Sequence, residues 1–197
     1  MAKPVVESSS KIVVDLVEQA PVQVLHVDDD LPFSKVVKQC LEMKGFKVET
    51  ASSVEEATET MKKKKFDVIV SDYVMPGKDG LQFLKELRGK GDSTPFIIFT
   101  GRGREEVAIK ALNLGADRYF NKTGGPETVY GELAYGIHQV AERKRAEEEL
   151  RANRNYLETI LDSIFSGVVV IDEKTHEIVD ANPKALETIG ASRERVI

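Results

Sequence analysis

The chain has 197 residues, of which 41% are hydrophobic, and its 28 basic and 33 acidic residues give a formal net charge of -5. This length allows one α/β domain of about 100–150 residues with a smaller unit beside it, and the charge balance argues against a nucleic-acid partner, which usually requires a clustered basic surface. The apolar runs are too short to span a bilayer and no signal-peptide pattern is present, so we expect a cytoplasmic protein with no membrane partner.

Residues 1–21 are predicted to be a flexible segment with a short amphipathic pattern at residues 12–17, and a regular alternation begins after them. Short apolar runs bounded by turn-forming residues predict β-strands at residues 22–27, 47–51, 68–71, 96–100 and 118–121. Segments with helical spacing of apolar residues predict helices at about 31–44, 54–65, 80–88, 105–114 and from 126 onward. Strands and helices therefore alternate throughout this region.

Two of the predicted helices begin with capping signals. Asp30 precedes the first helix, and Pro32 suits its first turn because the missing N–H of proline would have no helical partner there. Ser53, followed by Glu56 three residues later, predicts a capping box at the second helix.

Polar residues stand where four of the predicted strands end. Strands alternating with helices form a parallel sheet covered on both faces, and such sheets bind ligands beyond the carboxyl ends of their strands. The residues found there are Asp28, Asp29, Asp72, Thr100 and Lys122. Three carboxylates would repel one another and raise their own pKa values, so a divalent cation and a lysine are the expected compensation. An all-oxygen site of this kind suits Mg²⁺.

Four segments at these strand ends resemble the receiver domain of two-component response regulators. They are residues 25–29 (LHVDD), 68–80 (VIVSDYVMPGKDG), 97–101 (IIFTG) and 115–122 (GADRYFNK). The resemblance covers about residues 22–135. It implies a flavodoxin-like, doubly wound α/β fold with five parallel strands in the order 2-1-3-4-5.

The resemblance implies that Asp72 accepts a phosphoryl group from a partner sensor histidine kinase and becomes an aspartyl phosphate. Mg²⁺ would be held by Asp28, Asp29, Asp72 and the backbone oxygen of Val74. The acidic triplet leaves a shift by one residue open, and Asp28 with Asp29 is preferred because Asp30 is suited to cap a helix. The chain would then be no enzyme beyond its own phosphoryl transfer and autodephosphorylation.

The same resemblance assigns three further residues to the phosphate and the switch. Lys122 would bridge to the phosphoryl oxygens, Thr100 would move to hydrogen-bond the phosphate, and Tyr119 would turn inward into the space near Thr100. One position departs from the family, since Thr123 follows Lys122 where a proline is usual, so we expect a different path for the loop after Lys122. His26, inside an apolar strand, is predicted to be a packed core residue.

The C-terminal part of the chain is predicted to continue the last helix. Apolar residues alternate at spacings of four and three, with one polar position, which is typical of a two-stranded coiled coil. The residues of this seam are Ala146, Leu150, Asn153, Leu157, Ile160 and Ile164. We expect a homodimer through this helix, while a single amphipathic helix on a neighbouring domain is the alternative.

The last residues resemble the opening of a PAS sensory domain, with a hairpin pattern at residues 167–183. Only part of such a domain is expected, and no cofactor is assigned to it. The predicted organisation is a segment at 1–21, a receiver at 22–138, a coiled-coil helix at 139–164 and an incomplete PAS-like segment at 165–197.

Three alternatives to a phosphorylation switch follow from the same residues. The chain could be a fragment of a hybrid sensor histidine kinase, although it contains no phosphoacceptor-histidine box and no ATP-binding glycine boxes. It could be a phosphorylation-independent scaffold that dimerises through the coil. An aspartate-nucleophile phosphatase is disfavoured, because Val74 stands where a second acid would be needed.

Overall fold

A computed structural model describes residues 20–101 and 105–196 of the chain. Five strands form one parallel sheet: β1 Gln23–Val27, β2 Lys47–Ala51, β3 Val68–Ser71, β4 Phe96–Thr100 and β5 Arg118–Asn121. Their order is β2-β1-β3-β4-β5, which confirms the predicted topology. The predicted N-terminal segment, with its amphipathic pattern, lies outside the described residues except for Ala20 and Pro21.

The strands in the middle of the sheet are buried along their whole length. Every residue of β3 and of β4 is buried, as expected for parallel strands that are covered on both faces. The helices that follow the strands are α1 Leu31–Glu42, α2 Val54–Lys63, α3 Gly80–Gly89, α4 Glu105–Asn113 and α5 Pro126–Ser163. In the core, the Phe83 ring from α3 meets the Phe96 ring from β4 edge-on, with 5.6 Å between centroids. This packing anchors α3, the helix that follows Asp72.

Helix caps were predicted correctly for α1 and partly for α2. The Asp30 carboxylate accepts a hydrogen bond from the Phe33 N–H at 3.0 Å, as expected of an N-cap. At α2, the Ser53 hydroxyl accepts from the Glu56 N–H at 3.2 Å. The Glu56 carboxylate, however, accepts from both the N–H and the hydroxyl of Ser52 at 2.7 Å, because that residue offers two donors. The predicted capping box at Ser53 is therefore only half formed.

The chain divides into two compact units, one up to Tyr130 and one from Gly131. The second unit contains most of α5, the antiparallel hairpin of β6 Val169–Ile171 and β7 Ile178–Ala181, and the short helices α6 Pro183–Ile189 and α7 Arg193–Val196. Asn182 secures the hairpin: its side chain accepts from the Val168 and Ala185 N–H groups and donates to the carbonyls of Leu161 and Ser166. One buried amide thus connects the end of α5, the hairpin and α6.

Helix α5 is continuous from Pro126 to Ser163, so the last helix of the sheet domain does run on into the predicted coil segment. Apolar residues of the predicted seam lie on its surface: Leu150 is 72%, Leu157 59% and Ile160 38% exposed. Ile164 lies just after the end of the helix. The pairing of this seam with a second helix stays a prediction. Among the described residues, no helix combines the length and the apolar character that crossing a membrane requires.

Candidate functional site

Backbone hydrogen bonds hold three charged residues at the carboxyl edge of the sheet. Each residue follows directly on a strand, and its N–H continues the ladder of the sheet by one more bond to a neighbouring strand. These bonds run from Asp28 to the carbonyl of Ala51 at 2.9 Å, from Asp72 to that of Val27 at 2.8 Å and from Lys122 to that of Thr100 at 3.0 Å. The backbone of each of the three residues is therefore held by the sheet.

The Lys122 ammonium is shared by two carboxylates. Its Nζ donates to Asp28 Oδ2 at 2.7 Å and to Asp72 Oδ2 at 2.8 Å. The Asp28 side chain is only 1% exposed, whereas Asp72 and Lys122 are each 14% exposed. Burial raises the pKa of Asp28, and the hydrogen bond from Lys122 opposes this shift. Asp72 is thus the acceptor that a ligand from solvent can reach.

The acidic residues at this edge can hold a divalent cation. Asp28, Asp29 and Asp72 each offer a carboxylate oxygen, and these oxygens lie within 4.8 Å of one another. One ammonium cannot neutralise three carboxylates, and hard oxygen donors of this kind suit Mg²⁺. Asp30 is used to cap α1, so the structure groups Asp28 and Asp29, the preferred pair of the triplet, with Asp72.

A cavity of about 580 Å³ opens beside these carboxylates. Its lining includes all three acids and Lys122 together with Val74, Met75 and Pro76 of the loop after β3. The other Asp72 oxygen, Oδ1, accepts from the Tyr73 N–H at 2.6 Å. The cavity therefore has room for a small anionic ligand next to a carboxylate whose orientation is fixed by both of its oxygens.

Thr100 and Tyr119 lie on the neighbouring strands β4 and β5. Thr100 ends β4 and is fully buried, while Tyr119, on β5, is half-buried and packs against the hydrophobic core. The Tyr119 hydroxyl is buried and has no hydrogen-bond partner in the described parts of the chain. Burial, and then the negative charge of Asp72, raise the pKa of this phenol, so it stays neutral. The negative charge of Asp72 therefore reaches Tyr119, and the switch assigned to Thr100 and Tyr119 stays a prediction.

The side chain of Asn121 holds the start of the loop after Lys122. The Asn121 carboxamide oxygen accepts from the Thr123 N–H at 2.9 Å and from its hydroxyl at 2.5 Å. The peptide bonds of the described residues are all trans. Thr123 therefore supplies two donors, whereas a proline at this position would supply none.

Gly80, to which the sequence assigned no role, packs closely against the backbone of Asp72. Gly80 is buried at the start of α3, its N–H donates to the carbonyl of Tyr73 at 2.9 Å, and a Cβ added to it would lie 2.2 Å from the Asp72 carbonyl oxygen. The Ser71 hydroxyl donates to that same oxygen at 2.8 Å. A glycine at the first position of a helix, shortly after the acid, is the only sequence signal of this close approach.

His26 lies directly beneath the site. It is fully buried, as predicted, with its Nδ1 3.3 Å from the Ser34 hydroxyl and its Nε2 3.8 Å from Asp28 Oδ2. Burial, and then the positive charge of Lys122, lower the pKa of His26 from 6.5 to about 3. The imidazole is therefore neutral in the folded protein at any pH near neutrality.

This neutral histidine predicts a pH dependence of stability. Between pH 6.5 and about 3 the unfolded chain binds a proton at His26 that the folded chain does not bind, so stability falls as the pH falls through that window. From pH 7.5 to 5.5 we expect this residue to remove about 1.4 kcal/mol of unfolding free energy. Urea denaturation of the parent and of His26→Gln at both pH values measures the difference. Parallel pH profiles for the two chains would contradict it.

Comparison with known proteins agrees with this geometry. The family model of the response regulator receiver domain matches residues 24–134, and a PAS domain model matches residues 155–197. The response regulator MprA of Mycolicibacterium vanbaalenii is 34% identical over 102 residues, which are 52% of this chain and 44% of that protein. The match thus spans less than half the length of this curated relative.

Solved structures give the same result for the fold. The receiver domain of the Francisella response regulator 1452 is 31% identical with a TM-score of 0.58, and the match covers 62% of this chain and 98% of that one. The chemotaxis protein CheY4 of Vibrio cholerae is 34% identical with a TM-score of 0.53, covering 58% and 97%. With the family model matching more than half of its residues, the chain belongs to the response regulator receiver domain family.

Proposed function

We propose that the chain is a phosphorylation switch in which Asp72 accepts a phosphoryl group from a phosphohistidine of a sensor histidine kinase. The observation that carries this proposal is the position of the Asp72 carboxylate, which lies at the edge of a solvent-accessible cavity, 2.8 Å from the Lys122 ammonium and within 4.8 Å of two further acids. An isolated salt bridge would need neither the additional acids nor the cavity.

The chemistry requires one bond to form and one to break. A carboxylate oxygen of Asp72 attacks the phosphorus, the P–N bond to the kinase histidine breaks, and the imidazole nitrogen keeps the bonding electron pair. Lys122 offsets the negative charge of the phosphoryl oxygens, and the Thr100 hydroxyl at the end of β4 hydrogen-bonds the product. Attack by water on the aspartyl phosphate would later restore the carboxylate, so the chain performs only its own phosphorylation and dephosphorylation.

The residues present fit a magnesium ion. Asp28, Asp29 and Asp72 would hold it through carboxylate oxygens, with the Val74 carbonyl as a backbone ligand. Bound Mg²⁺ would supply positive charge that compensates the phosphoryl oxygens during transfer. The chain itself orients Asp72, through the bonds of Lys122 and Tyr73 to its two oxygens.

Labelling with a small phosphodonor tests this proposal. The parent chain, incubated with radioactive acetyl phosphate and Mg²⁺, is expected to carry a label that alkaline hydroxylamine removes, and EDTA is expected to prevent the labelling. Asp72→Asn should remain unlabelled, because an amide does not form an acyl phosphate. Asp79→Asn is the matched control, since Asp79 only caps α3 in the same loop and its loss should leave the label in place. Equal labelling of Asp72→Asn and the parent would refute the assignment.

We further propose that α5 pairs with α5 of a second copy and passes the phosphorylation state along this helix. The exposed apolar positions of its second half, Leu150 and Leu157 among them, support this pairing. In sedimentation equilibrium with Mg²⁺ and beryllofluoride, the parent is expected to be dimeric and Leu150→Glu/Leu157→Glu monomeric. Met43→Glu, which replaces an exposed apolar residue of the α1–β2 turn by glutamate outside α5, is the control. A dimer mass that beryllofluoride leaves unchanged would favour a phosphorylation-independent scaffold.

A further inference from the structure

The Lys122 ammonium has aromatic neighbours in addition to its two carboxylates. Its Nζ lies 4.6 Å from the centroid of the Phe33 ring and 5.8 Å from that of the Phe99 ring. Both distances fall within the range of cation–π attraction, and the shorter one, to Phe33, is the stronger contact. Phe33 was not recognised from the sequence, where it reads as an ordinary apolar residue in the first turn of α1.

The Phe33 ring is itself held in place on several sides. It packs against Phe99 of β4, with centroids 6.0 Å apart, and against Tyr130 of α5, with centroids 6.4 Å apart. The backbone N–H of Phe33 donates to the capping carboxylate of Asp30 at 3.0 Å. Cap and ring contacts together fix the face that Phe33 presents to the ammonium.

A fixed partner matters because the other partners of Lys122 change during the proposed reaction. Asp72 gives up a carboxylate oxygen to the phosphoryl group, whereas buried Asp28 keeps attracting the ammonium towards itself. The negative face of the Phe33 ring is the same before and after phosphorylation. The ring also attracts the ammonium independently of Asp28 and Asp72. It can therefore hold the ammonium at a constant position beside Asp72.

We propose that Phe33 is a positioning residue for the phosphorylation of Asp72, acting through Lys122 by a cation–π contact. This inference rests on the proposed function. It assigns the first turn of α1 a role in the reaction that goes beyond packing, and it requires the electrostatic potential of the ring as well as its shape.

Fluorinated phenylalanines separate potential from shape, because each fluorine weakens the negative face of the ring with little change in its size. With one, two and three fluorines at residue 33, the rate of labelling by acetyl phosphate under saturating Mg²⁺ should fall stepwise, to about one-fifth to one-tenth of the parent with three. Phe33→Leu should be as slow as the trifluoro chain, and Phe33→Tyr should retain most of the rate. The same series at Phe83, a core ring that packs against Phe96, should leave the rate unchanged.

A second readout tests the contact without phosphorylation. Fluorination at residue 33 should lower the urea midpoint of the parent stepwise, and this effect should vanish in Lys122→Met, where no cation faces the ring. A shifted midpoint with a flat labelling rate would show a merely structural contact and would overturn the positioning role. If the parent is labelled and fluorination at residue 33 leaves the labelling rate unchanged, only this inference is refuted. If the parent is not labelled at all, the proposed function is refuted and this inference with it.

Discussion

Gly80→Ala is expected to destabilise the chain by about 3 kcal/mol, in the upper part of the range for overpacked buried sites. The added methyl carbon would lie 2.2 Å from the Asp72 carbonyl oxygen and 3.1 Å from the Ser71 hydroxyl oxygen. Backbone atoms at that distance cannot rotate away as the end of a side chain could, so either α3 or the strand end with Asp72 must shift. We therefore expect urea unfolding at a lower midpoint and, through the displaced carboxylate, slower labelling by acetyl phosphate.

The other end of the same helix offers a matched control. Gly89 closes α3, and a Cβ added there would meet nothing within 4 Å. Gly89→Ala should therefore change the unfolding free energy by no more than about 0.5 kcal/mol, in the stabilising direction that alanine favours in helices. Equal losses at both positions would mean that the close approach to Asp72 is not the cause of the destabilisation at Gly80.

The strands were predictable from the sequence because parallel strands buried on both faces consist of nearly continuous apolar runs. The predicted bounds of β2, β3, β4 and β5 coincide with those in the structure. Helix ends were less accurate: α2 ends at Lys63, whereas the pattern extended to residue 65. Residues 62–65 are all lysine, so no apolar periodicity shows at which of them the helix ends. The short helix α7 was missed, since four residues cannot show a helical period.

The charged residues of the site were also predictable, because each stands next to a strand whose place in the sheet was clear. Gly80 and Phe33 were not, for a shared physical reason. The role of Gly80 and the role proposed for Phe33 depend on distances to other segments of the chain. A methyl carbon added at Gly80 would lie 2.2 Å from the Asp72 carbonyl oxygen, and the centroid of the Phe33 ring lies 4.6 Å from the Lys122 ammonium. A pattern along one chain reports the type of residue at a position, and it does not report which group approaches it.

Lys122→Met is expected to reduce the unfolding free energy by about 3 kcal/mol at pH 8 in EDTA, because it removes the ammonium that is bonded to the Asp28 carboxylate. Asp28 is 1% exposed, so water solvates its carboxylate poorly once the ammonium is gone, and the adjacent carboxylates of Asp28 and Asp72 are left to repel each other. The loss of unfolding free energy in Lys122→Met should become smaller as the pH falls. Without Lys122 the pKa of Asp28, already raised by burial, rises further, and its neutral form needs no cation.

Adding Asp28→Asn to Lys122→Met should recover most of the lost stability, since the uncharged amide removes the repulsion that the single substitution exposes. Lys78→Met is the control for loss of a lysine as such: its ion pair with Glu86 is 2.5 Å long, but both side chains are well exposed, and stability should be essentially unchanged. Urea denaturation of the four chains at pH 8 and pH 5.5 gives the comparison. If the double variant is as unstable as Lys122→Met, the loss comes from the packing of the lysine stem, and the buried charge of Asp28 is not its cause.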